Sequence, residues 1–280
     1  ITNLRNRLLD SLRVCGDEEG ILSAMLLGEK NGLNQEVKSL YQLAGISHIL
    51  AISGVHVSLL GMGIYRFLRK RGIRYLFAGG LTAFIMYTYA VMTGTGISTR
   101  RAVGMLFVFL LGDLLGRSYD LLSSLGAIVV VMLLDNPFLL YNTAFWLSVV
   151  AVFGVGVMSE LEKNFSADIS NGDTRRLAKI RASLCMSLGI QLFTLPIIAY
   201  SYFEIPIYSV FLNLLVLSVV KYVVGFGALA SIAGLFLPWL GSGLLFPAEV
   251  ILNFYSKLSE FFLSLPFSRL LLGQPTLLRI

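Results

Sequence analysis

Residues 45–74, GISHILAISGVHVSLLGMGIYRFLRKRGIR, decide the fold. They form an apolar run of about 20 residues, long enough to cross a bilayer, that ends in a basic cluster. Both histidines of the chain, His48 and His56, fall inside this run, where ionisable groups are expensive to keep. Between them lies Ser53-Gly54. A glycine in mid-span, beside a serine whose hydroxyl can bond back to the backbone, predicts a kink or break. Backbone freed by such a break must face protein or water rather than lipid. On this reading Ser47, His48, Ser53, His56 and Ser58 point into an interior or a water-filled path.

The rest of the composition agrees with the run. Hydrophobic residues make up 56% of the 280 positions and charged residues 14%, and the mean hydropathy is +0.79. That is far more apolar than an average soluble domain. The expected fold is an all-α polytopic membrane protein with about seven to nine transmembrane or re-entrant helices. The net charge of +6, from 22 Lys and Arg against 16 Asp and Glu, points first to cytoplasmic loops and second to an anionic partner. Cys15 and Cys185 are too few and too far apart for a disulfide framework.

Taken in order, residues 1–45 read as an amphipathic, interfacial lead-in and residues 46–237 as a polytopic region. Residues 238–280 read as a loop followed by amphipathic or partly inserted helices. The first span, 46–68, ends at Arg66, Arg69, Lys70, Arg71 and Arg74, which the positive-inside rule places in the cytoplasm. Further spans are expected over 75–92, 102–116, 121–134, 138–158 and 184–203. A broken or re-entrant pair is expected over 207–237, a segment too long for one straight crossing. The polar stretch 159–183 reads as a second cytoplasmic loop, which leaves 94–99 and the lead-in on the outer side.

Several residues stand out by chemistry. The histidines are eight positions apart, about 80° around an ideal helix, which is not the i, i+4 spacing of a metal pair. No metal and no cofactor is expected. Each histidine either bonds a neighbouring span or lines a polar path. Ser53 with His56 lacks a nucleophile turn and an oxyanion loop, so an intramembrane protease is not supported and no catalytic residue is assigned. Of Arg100 and Arg101, one snorkels to headgroups and the other meets a phosphate or a buried carboxylate. Asp113 and Asp135 either pair with these arginines or terminate helices, Asn136 precedes a helix-stopping Pro137, and Lys221 either snorkels or faces a lumen. Gln191 and Asn213 add neutral polar groups inside spans.

Six stretches together resemble the competence domain of the ComEC DNA-uptake family. They are LLGEKNGL at 26–33, AGISHILAISGVHVSLL at 44–60, GISTRRAVGM at 96–105, DNPFLLYNTAFWLSVVAVFGV at 135–155, and QLFTLPII with NLLVL at 191–198 and 213–217. Trp146 and Ser218 stand where the family usually has Gln and Pro, so those two roles are not carried over. The resemblance implies a channel in the cytoplasmic membrane that passes single-stranded DNA during natural transformation, and it makes Arg101 the arginine of the family's Arg-Ala pair. It also implies a DNA receptor and a cytoplasmic motor or helicase as partners. OB-like and metallo-β-lactamase-like domains are expected outside this stretch, which itself is not expected to be an enzyme. The rival from another class is a secondary transporter or proton-coupled permease using Asp113, Lys221 and the histidines as relays.

Overall fold

The computed structural model describes residues 2–17, 19–166, 174–206, 208–266 and 268–271. Within these, residues 163–166, 174–183, 204, 205, 210, 217 and 269–271 contribute backbone only. Eleven α-helices are described: α1 (Thr2–Cys15), α2 (Ile21–Leu27), α3 (Gln35–Leu43), α4 (Gly54–Lys70), α5 (Tyr75–Met92), α6 (Ile97–Leu114), α7 (Leu121–Asp135), α8 (Thr143–Ser166), α9 (Thr174–Tyr202), α10 (Ser209–Gly234) and α11 (Pro238–Ser264). Short 3-10 turns at Ser47–Leu50 and Pro137–Tyr141 precede α4 and α8. Two three-residue strands, β1 (Glu204–Pro206) and β2 (Arg269–Leu271), pair antiparallel and tie the start of α10 to the end of α11. The protein is an all-α membrane protein.

Among the described residues, three segments have the length and apolarity to cross a bilayer: Tyr75–Met92, Thr143–Glu162 and Leu184–Tyr202. Their outward faces carry residues such as Phe77, Phe84, Phe153 and Leu192, which lipid tails can cover. Lipid gives helices no hydrophobic reason to associate, so close contact relies on small residues. Gly61 of α4 receives Leu106 and Met86, Gly104 of α6 receives Ile128, and Gly154 of α8 receives Phe193. Helix ends follow local chemistry. Arg69 and Lys70 sit in the last turn of α4, where cations favour the helix dipole. The Asp120 carboxylate accepts from Ser123 N at 2.7 Å to cap α7.

The lead-in spends its apolar face on protein. Leu9, Leu12 and Cys15 of α1 are buried against α10 and α11, where Ser11 donates to the Ser231 carbonyl at 3.0 Å. Asp17, itself buried, accepts from the N–H groups of Leu22 and Ser23 and from the Ser23 hydroxyl, and so caps α2. Gly28 packs on the Thr93 carbonyl and Tyr89 Oη donates to Leu26 O at 2.7 Å, which joins the lead-in to the C-terminal end of α5.

Several expectations change. Residues 207–237 do not form a broken pair: α10 runs unbroken for 26 residues, about 39 Å, packed along α11. Neither Asn213 nor Lys221 interrupts it, because Asn213 finds a partner on α9 and Lys221 is exposed beside the Tyr222 ring. The region after 237 opens as a helix, with Pro238 at the first helical position, where a missing N–H costs nothing. The polar stretch 159–183 is helical up to Ser166 and again from Thr174, and 167–173 lies outside the described residues.

Candidate functional site

The expected first span is two pieces. The 3-10 turn Ser47–Leu50 gives way to extended backbone at Ala51 and Ser53, and α4 begins at Gly54. Ser53 is the N-cap, and His56 takes the position that Glu or Gln fills in a capping box. The Ser53 backbone N–H donates to His56 Nδ1 at 3.1 Å, and Ser53 Oγ lies 2.8 Å from the same nitrogen. An Nδ1 that accepts from an amide carries no proton, so the neutral ring holds its proton on Nε2. That Nε2 is buried without a partner, in a side chain only 1% exposed.

Arg101 meets this turn from α6. Its side chain is 5% exposed, and Nη1 donates to the Ser148 carbonyl of α8 at 2.8 Å. Its Nη2 lies 3.0 Å from where a Cβ would stand on Gly54, so a glycine at the first position of α4 leaves room for the guanidinium. Arg101 Nε and Ser148 Oγ, like His56 Nε2, are buried without partners among the described residues. Among the described residues no carboxylate pairs with Arg101. A buried guanidinium therefore sits against the positive end of a helix with donors to spare.

A second polar group forms where α9 meets α10. Gln191 Nε2 donates to Ser209 Oγ at 2.5 Å, Ser209 Oγ donates to Pro206 O at 2.7 Å, and Asn213 Nδ2 donates to Gln191 Oε1 at 3.5 Å. Asn213 Oδ1 is buried without a partner among the described residues. Gly45, with φ +77°, packs directly on this group; a Cβ there would stand 2.6 Å from Pro206 and 2.7 Å from Ser209. The interrupted segment 45–54 thus has one end on the Gln191–Ser209–Asn213 group and the other on Arg101. His48 lies between them, with an exposed side chain, so the two histidines occupy unlike surroundings.

The remaining polar residues separate. Asp113 accepts from Tyr65 Oη, nine residues along α4 from His56, about 14 Å away along the axis. Asp135 pairs with Arg100 at an exposed site, so among the described residues Arg100 has a counter-ion and Arg101 does not. Asn136 caps the turn at Pro137–Tyr141 by accepting from Phe138 N at 3.0 Å. Among the described residues, no hydrogen bond or ion pair links Asp113, Lys221 and the histidines to one another. Sequence reasoning missed Ser148, Ser209 and Tyr65. Ser148 lies in the quoted stretch 135–155, but its contact with Arg101 is made by a main-chain carbonyl, which no side-chain pattern signals.

A family model described as Competence protein matches residues 25–280. ComE operon protein 3 of Bacillus subtilis is 29% identical over 216 residues, covering 77% of this chain and 26% of that protein. Recombination protein 2 of Haemophilus influenzae is 29% identical over 141 residues, covering 48% of this chain and 18% of that protein. Competence protein ComA of Neisseria gonorrhoeae is 26% identical over 143 residues, covering 47% of this chain and 20% of that protein. The chain therefore spans about a quarter of the length of the Bacillus relative. No solved structure matches. The matched residues take in the interrupted segment, Arg101, Ser148 and the Gln191 group, and with that coverage the chain belongs to the Competence protein family.

Proposed function

We propose that this chain takes part in DNA uptake during competence and forms the wall of a path by which one strand crosses the cytoplasmic membrane. The observation that carries the reading is Arg101, a buried cation without a counter-ion among the described residues, set against a helix start inside a membrane protein. Such a group is costly to bury alone and is compensated when an anion passes or rests beside it. On this reading His48, Ser53, Gly54, His56, Arg101, Gln191 and Asn213 border the path. The neutral groups hydrate phosphates without trapping them, and the single strong cation captures the strand.

The proposed orientation puts 66–74 and 159–183 in the cytoplasm and 94–99 outside, following the Lys and Arg asymmetry. The contact of Gly28 with Thr93 supports a lead-in on the same side as 94–99. A DNA receptor, a cytoplasmic motor or helicase, and OB-like and metallo-β-lactamase-like domains are the partners this reading calls for. The strand-passing segment itself carries out no chemistry. The test is transport into proteoliposomes holding the chain: labelled single strands should become protected from external nuclease. Proton-dependent entry of a small solute, with no protected strand, would favour a permease instead.

A further inference from the structure

We infer that the N-terminus of α4 is a phosphodiester-binding site, built from the first-turn N–H groups at Gly54 and Val55, the Arg101 guanidinium, His56 Nε2–H and the Ser148 hydroxyl. This deepens the proposed function by naming where the strand is held and by which atoms, and it rests on that reading for the source of the phosphodiester.

Three independent features converge. The first N–H groups of a helix have no intrahelical acceptor, and α4, at 17 residues, is long enough to carry a full end charge. Arg101, only 5% exposed, brings Nη2 against the side-chain-free Gly54. The unpartnered atoms have one chemistry: the Nε–H of Arg101 and the Nε2–H of His56 donate, and the Ser148 hydroxyl is able to. A cluster short of acceptors calls for an acceptor-rich, negatively charged ligand. A phosphodiester offers two non-bridging oxygens and one charge, matched to one guanidinium and a helix end. The His56 ring is held by Ser53 with Nδ1 as the acceptor, so it donates to the ligand while neutral. One site of one net charge binds a strand without gripping it along its length, which suits capture followed by release.

Nucleic acid is favoured over a lipid headgroup because Arg101 and His56 are both buried rather than set on an outward apolar face. The probe is a labelled abasic single-stranded oligomer, which presents phosphodiesters without bases, added to the purified full chain in a phosphate-free maltoside detergent. Arg101→Gln should weaken binding about tenfold or more, the loss expected for one charge-assisted contact. Gly54→Ala, which crowds the guanidinium without disturbing a negative-φ position, should weaken it in the same direction and keeps the test open if Arg101→Gln does not fold. Arg100→Gln, already paired with Asp135, should bind like the parent. An uncharged methylphosphonate oligomer should not compete.

Unchanged binding in folded Arg101→Gln and Gly54→Ala proteins overturns the site. Displacement of the oligomer by phosphatidylglycerol at equal concentration overturns the assignment to nucleic acid and gives the site to a headgroup. Strand transport that persists in a variant with lost binding overturns the site and leaves the proposed function standing. Binding without any transport does the reverse.

Discussion

The guanidinium of Arg101 lies 3.0 Å from the position a Cβ would occupy on Gly54, so the start of one helix and the buried cation of another share one small space. Gly54→Leu should fill that space and displace Arg101. Overpacking of this kind costs about 1–3 kcal/mol. The variant should insert and remain monodisperse but pass no DNA, measured as nuclease-protected strand in proteoliposomes. Normal passage in Gly54→Leu would mean that Arg101 does not need this position.

Neighbouring arginines should behave differently. Arg101→Ala should abolish or strongly reduce strand passage, because it removes the unpaired buried charge. Arg100→Ala breaks an exposed pair with Asp135, worth about 0–1 kcal/mol, and should change passage little. Passage rates compared at matched expression decide this, and equal losses in the two variants would contradict it.

The Ser53–His56 pair caps α4, so its stability role is separable from any contact with a ligand. Ser53→Ala should destabilise by about 1 kcal/mol. His56→Gln keeps an acceptor at the capping-box position and should leave the melting temperature close to that of the parent. Thermal unfolding in detergent reads both, and a large loss in His56→Gln would show that the ring packs rather than caps.

Within the lead-in, Arg5 and Glu29 form a 2.7 Å ion pair. The Asn31 backbone N–H, together with Arg5, holds the Glu29 carboxyl below its ordinary value of 4.5. A depressed carboxyl contributes stability above its unfolded value and loses it as the pH falls through the folded one. The melting difference between the parent and Glu29→Gln should therefore be full above pH 4.5 and fade below it. A difference unchanged at strongly acid pH would contradict the linkage.

Much of the fold was legible. Span 75–92 matches α5 residue for residue, because an apolar run bounded by Arg74 and Gly94 leaves little choice of register. The break beside Gly54 follows from a glycine next to a capping serine. What was not legible involved partners distant in sequence. The 207–237 segment looked broken because it is too long for one straight crossing and carries Asn213 and Lys221 in its middle, yet Asn213 Nδ2 bonds Gln191 on α9 and α10 stays whole. Nothing local in the lead-in shows that Ser11 meets Ser231, some 220 residues away. Arg101 could be singled out from the sequence, but its contacts with Gly54 and the Ser148 carbonyl could not.

Gly45 marks a position where only glycine fits. Its φ of +77° disfavours any side chain, and a Cβ would strike Pro206 and Ser209. Gly45→Ala should destabilise by about 1–3 kcal/mol and disturb the Gln191–Ser209 contact. Hydrogen exchange at the start of α10 should rise in the variant; unchanged protection there would show that the contact is soft.

The central claim, that DNA passes along the interrupted segment, is tested most directly by cysteine accessibility. His48→Cys and Ser53→Cys, in a background lacking Cys15 and Cys185, are exposed to a small water-borne thiol reagent with and without single-stranded DNA, with Val130→Cys on the outward face of α7 as the lipid control. Both path positions should react, added DNA should slow both, and position 130 should not respond to DNA. Unreactive cysteines at 48 and 53 in a transport-competent protein, or reaction rates indifferent to DNA, would contradict the account.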